Sequence, residues 1–141
     1  MVAASNDYER LYLEFFATLS SGDLERIRAT FHEDAMLHAL WPHMHLRGRD
    51  MKFSMVAPEG RETILLSVPK YDPFWQATYE LREPLVLPPG TTLRAVAHYD
   101  NSAANRRNPA PNEEVRWGWQ TWEEMFYPYA EVSLLRKALA R

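Results

Sequence analysis

Beyond Asp34 the apolar residues recur at every second position instead of every third or fourth, and most of the ten prolines fall in the same stretch. A proline inside a helix removes a backbone donor and costs about 3 kcal/mol, so this part of the chain is held to strands and turns. "WQATYEL" sets Trp75, Ala77, Tyr79 and Leu81 on one face and Gln76, Thr78 and Glu80 on the other, the alternation of a half-buried strand. "ETILLSV" reads as a strand buried on both faces, with "APEGRE" as the turn into it. "LPPGTTLRAVAHYDNS" is a proline-glycine turn and then a strand carrying Leu93, Ala95, Ala97 and Tyr99 on one side, stopped by Asp100-Asn101-Ser102. "NSAANRRNPAPNEE" is a polar loop without periodicity, and the aromatic "VRWGWQTWEEMFYPY" follows it.

The front of the chain has a different spacing. Tyr8, Leu11, Phe15 and Leu19, with Tyr12 and Phe16 beside them, follow the three-to-four repeat of an amphipathic helix opened by Asn6 and Glu9. Ser20-Ser21-Gly22 ends it, and Asp23 caps a second helix in which Leu24, Ile27 and Phe31 share a face. "EVSLLRKALAR" suits a short terminal helix. The expected fold is therefore α+β: an N-terminal helical hairpin packed on a curved, mostly antiparallel β-sheet, as a cone-like barrel or partial jelly roll. It forms a single domain over 1–141, with hairpin and first strand in 1–40, sheet in 41–127 and tail in 128–141.

Composition narrows the function. The 141 residues bury a core without staples. Sixteen basic against nineteen acidic side chains, with the basic ones scattered, leave no nucleic-acid footprint. No apolar run is long enough for a membrane span, and "MVAASNDYER" has no signal core, so a cytoplasmic protein without membrane contacts is expected. Cysteine is absent, which removes disulfides, thiol catalysis and thiolate metal sites. Walker, GxGxxG and GxSxG motifs are absent too.

What remains is "WPHMHLRGRD", with His43 and His45 one residue apart. On a strand, residues i and i+2 project to one side about 6.6 Å apart, which lets two imidazoles converge on one ion. A third donor must come from His, carboxylate or Met. Thioether sulfur favours copper(I), and Met36, Met44, Met51, Met55 and Met125 are all available; zinc completed by Asp50 or Glu124 is the harder alternative.

From "HMHLRGRDM" through "LSVPKYDPFWQATYEL", "LPPGTTLRAVAHYDNSAANRRNP" and "VRWGWQTWEEM", residues 43–126 resemble the C-terminal copper domain of copper type II ascorbate-dependent monooxygenases. The resemblance implies one copper ion held by His43, His45 and Met125, oxygen activation there, and ascorbate as electron donor. Tyr129 matches a tyrosine that family has four residues after the methionine, and with Tyr127 it is expected on the substrate side. There are departures. Trp41 stands where the peptide-processing members have a carboxylate-binding arginine, and Tyr127 where they have asparagine. A second copper in that family uses three further histidines from a preceding domain, whereas His32, His38 and His98 are scattered here. That family is usually extracytoplasmic.

"YLEFFATLSSGDLERIRATFHEDAMLHALWP" resembles instead the opening of SnoaL-like proteins of the nuclear transport factor two-like superfamily, so the chain reads as two families joined near Leu40 to His43. This second resemblance implies a cone enclosing an apolar pocket, with His38, His98 or Asp100 as acid or base. A small-molecule substrate is expected on either reading. A non-catalytic module that pairs into a homodimer is the third.

Overall fold

The computed structural model describes residues 8–13, 24–31, 34–111 and 113–135. Over these the chain is all β, with eight strands: β1 (Tyr8–Leu13), β2 (Leu24–Thr30), β3 (Ala35–Met44), β4 (Gly48–Val56), β5 (Glu62–Val68), β6 (Tyr79–Leu87), β7 (Thr92–Tyr99) and β8 (Phe126–Leu135). They form two antiparallel sheets, ordered β1-β8-β3-β6 and β2-β7-β4-β5. Neither closes into a barrel.

The expected helical hairpin is overturned. Tyr8–Leu13 runs against β8, from Tyr8 opposite Leu135 to Leu13 opposite Ala130, and Leu24–Thr30 runs against β7. Helix propensity differs among ordinary residues by well under 1 kcal/mol each, so a full ladder of partners on a waiting sheet edge outweighs it. The terminal helix fails in the same way, because Glu131–Leu135 is the end of β8. The caps expected at Asn6 and Asp23, the stop at Ser20-Ser21-Gly22 and residues 136–141 lie outside the described residues. With the hairpin go the α+β class and the cone-like barrel.

Two strand expectations also change. Trp75 to Thr78 are not in a strand, because the Asp72 carboxylate accepts the Phe74 N–H at 3.0 Å and the Asp72 carbonyl accepts the Trp75 N–H at 2.9 Å. That local turn leaves Trp75 72% exposed and delays β6 to Tyr79. Glu62–Val68 is a strand, but it forms the outer edge of its sheet and Ile64 is largely exposed, so it is not buried on both faces. Thr92–Tyr99 is a strand with Leu93, Ala95 and Ala97 buried.

The core lies between the two sheets. Leu37, Leu40 and Met44 from β3 and Phe126, Ala130 and Val132 from β8 meet Met51 and Phe53 from β4 and Leu93, Ala95 and Ala97 from β7. A bulge in β3 decides which side chains join them. Leu37 pairs with Val132 and Ala39 with Glu131, so β3 carries one extra residue there, His38. Such a bulge reverses the alternation. Ala35 and Leu37 are buried before it, and Leu40, Pro42 and Met44 after it, which leaves Trp41 and His43 on the outer face.

Pro42 pairs with Pro128 where β6 has stopped pairing with β3 at Leu40 and β1 has stopped pairing with β8 at Ala130. Among the described residues, two residues that cannot donate therefore sit beyond the last rungs of the outer ladders, a position proline tolerates.

Candidate metal centre

β3 and β8 build the candidate site. With Met44 and Phe126 in the core, their neighbours His43 and Tyr127 share the opposite face, and their rings lie 6.3 Å apart. Trp41 and Tyr129 are the next pair outward, with ring centroids 6.0 Å apart. The His43 and His45 rings are 5.3 Å apart and nearly perpendicular, so both imidazoles serve one side of the strand. Trp41 keeps its indole N–H buried without a hydrogen-bond partner among the described residues, beside His43 at 5.5 Å between ring centroids.

The ladder's last pair is Met44 with Phe126, and the next residues along each strand are His45 and Met125. His45 and Met125 thus both lie one residue beyond the same end of this ladder, despite their distance in sequence. Met125 is 5% exposed, as is His45, and Met125 is separate from the core cluster that takes in Met44 and Phe126. Its carbonyl accepts the Tyr99 hydroxyl at 3.2 Å.

Two loops cover the pair and fix each imidazole. Gln76 donates through Nε2 to the Pro73 carbonyl at 2.7 Å, which turns its Oε1 toward His43. That oxygen can only accept, so the 2.5 Å contact has His43 Nδ1–H as donor. His45 Nδ1 donates to the Glu123 carbonyl at 3.2 Å, again an acceptor without a proton. Both rings therefore carry their proton on Nδ1 and keep the Nε2 lone pair for a ligand. This is the outer-partner pattern of metal-binding histidines.

The segment bearing Glu123 is folded tightly. Gly118 N–H donates to the Glu124 carbonyl at 3.0 Å, Glu124 N–H to the Arg116 carbonyl at 2.9 Å, and Gln120 N–H to the Glu123 carboxylate at 2.9 Å. A Cβ at Gly118 would fall on that carboxylate. Arg47, buried to 2% exposure, ties this segment to the turn after His45. Its Nη1 donates to the Trp122 carbonyl at 2.6 Å and its Nε to Asn101 Oδ1 at 3.0 Å.

Burial lowers the pKa of His43, against a smaller opposing effect of the Gln76 contact. It also lowers that of His45, with the Glu123 carbonyl opposing and the neighbouring His43 adding to the shift. Both stay neutral and able to coordinate at neutral pH. In the unfolded chain each takes up a proton near 6.5. Folding stability of the metal-free protein is accordingly expected in full above that value and is lost as pH falls from it through the lowered folded-state values. Urea midpoints at about pH 7.5 and about pH 5.5 check this: the lower pH gives the lower midpoint, and the drop shrinks in a His43→Gln/His45→Gln double variant.

The other predicted residues are dispersed. His38, on β3, meets Ser133 Oγ through Nε2 at 2.7 Å. Asp100 follows β7 in the other sheet, where the Ser102 hydroxyl first, and then the Ser102 N–H that donates to its carboxylate at 2.9 Å, lower its pKa and make it a turn cap. The structure does not bring these two together, and no cone surrounds them. His98 Nδ1 lies 2.5 Å from Asp50 Oδ1, so Asp50 is engaged across β4 and β7. Among the described residues no three His, Cys, Asp or Glu side chains converge as a metal site.

Sequence reasoning missed Gln76 and Glu123. Gln76 was read as the polar face of a strand that does not form there, and Glu123 acts through a backbone carbonyl that no side-chain motif encodes. No family model and no curated protein matches this chain.

Proposed function

We propose that this domain binds one copper ion through His43, His45 and Met125. The observation that carries the reading is the paired anchoring of both imidazoles through Nδ1, which leaves two neutral Nε2 donors on one face, with the buried Met125 just beyond the β8 end of the same ladder. Two imidazoles and a thioether suit copper(I) and leave coordination positions open, whereas carboxylate and water favour harder ions. Bound copper would supply a centre able to exchange one electron and meet oxygen.

The chain's own residues do the rest. Gln76 and the Glu123 carbonyl hold the rings in one tautomer and orientation. The loops that bear them, at 71–78 and 116–124, limit water at His45 and Met125. Tyr127 and Tyr129 lie on the same outer face and form the side from which a small-molecule substrate reaches the ion. Oxygen or peroxide reduction is the activity proposed, with monooxygenation when an outside donor such as ascorbate supplies electrons.

Anaerobic copper(I) titration against a chelating competitor tests the binding. One equivalent is expected to bind, and both His43→Ala and Met125→Leu are expected to weaken it. Affinity indifferent to both substitutions refutes the assignment.

A further inference from the structure

Between the two imidazoles stands Met44, whose side chain is in the core and whose backbone has, among the described residues, a neighbouring strand on one side only. β8 pairs with it through Phe126, while β6 has already ended its pairing with β3 at Leu40. A phenol occupies the open side. Tyr71 O–H donates to the Met44 carbonyl at 2.8 Å, and the same oxygen accepts the Met44 N–H at 2.8 Å. One hydroxyl thus replaces both rungs that a further strand would supply. The Tyr71 backbone is itself tethered to the start of β4, its N–H donating to the Arg49 carbonyl at 2.9 Å. The ring reaches Met44 because Gly48 has no side chain. A Cβ there would lie 2.7 Å from Met44 Cβ and 3.0 Å from Tyr71 Cδ1.

We infer that Tyr71 is a positioning residue of the copper site: by clamping the Met44 backbone it fixes the separation of His43 and His45 before the ion arrives. The inference rests on the proposed reading of the pair as ligands. An extended backbone at Met44 is what keeps residues i and i+2 on one side. Without the clamp, the buried N–H and carbonyl of Met44 lose their partners and the segment is free to twist the two rings apart.

The test compares Tyr71→Phe with Leu87→Ala, which opens a core cavity in β6 and lowers stability without touching the clamp. Copper(I) affinity, measured below the unfolding range of both variants, is expected to fall about tenfold or more in Tyr71→Phe and to stay at the parent value in Leu87→Ala. Amide exchange at Met44 in the metal-free protein is expected to quicken in Tyr71→Phe, and the copper(II) electron paramagnetic resonance spectrum to change there alone. Should Tyr71→Phe fail to fold, Gly48→Ala, whose Cβ forces Met44 and the Tyr71 ring apart while retaining the hydroxyl, is expected to show the same affinity loss. Parent-like affinity in the clamp variant, or an equal loss in Leu87→Ala, overturns the positioning role and leaves the copper assignment standing. A parent protein that binds no copper(I) overturns both.

Discussion

His45→Ala is expected to weaken copper(I) binding by more than about a hundredfold. Loss of an outer partner of a metal ligand costs about ten- to a hundredfold, and removing the ligand itself exceeds that; a hundredfold corresponds to about 2.8 kcal/mol. His45 is the less exposed imidazole and, like Met125, directly follows the last pair of the β3 and β8 ladder. An alanine there leaves the Glu123 carbonyl without its donor. Competitive titration measures it. A loss below about threefold, under 1 kcal/mol, would mean that the ion does not sit on this imidazole.

Phe126→Ala is expected to cost about 3–5 kcal/mol of folding stability, a large share of the 5–15 kcal/mol typical of a domain. Phe126 is 1% exposed, pairs with the fully buried Met44, and joins the core contributed by both sheets. It pairs across the ladder with Met44, the residue between the two histidines, so the cavity forms where relaxation would distort the end of β3. Trp119, exposed on the covering loop, is the control, with Trp119→Ala expected within about 0.5 kcal/mol of the parent. Urea unfolding with a shared slope and a lowered midpoint for Phe126→Ala alone is the expected outcome. A change below about 1 kcal/mol would contradict the placement of Phe126 in the shared core.

The strands were legible where pairing agrees with local pattern. Thr92–Tyr99 was legible as a strand that ends at an Asp-Asn-Ser turn, and Leu93, Ala95 and Ala97 are buried as expected, although Val96 on the other face is buried too and Tyr99 only partly. They were illegible where long-range pairing overrides spacing. Tyr8, Leu11 and Leu24, Ile27 satisfy a helical repeat, yet their backbones complete ladders with β8 and β7, which no local window records. The alternation along β3 was hidden for a related reason. The extra residue at His38 decides that His43 faces outward, and a bulge is a property of two strands in register.

The candidate site divides similarly. The His-Met-His spacing announced a pair of imidazoles on one face, and the folded strand places them there. Met125 comes from a resemblance, and only the β3 and β8 register shows that it and His45 follow the same end of one ladder. Tyr71, Gly48 and the Glu123 carbonyl act on backbone or through an absent side chain, so their roles had no signature until the strands were assembled.

The most direct measurement is X-ray absorption at the copper edge on protein loaded anaerobically with one equivalent of copper(I). A coordination sphere of imidazole nitrogen together with a single sulfur scatterer is predicted, the sulfur signal vanishing in Met125→Leu while the nitrogen signal persists. A sphere without sulfur in the parent protein, or a sulfur signal unchanged in Met125→Leu, would contradict the site.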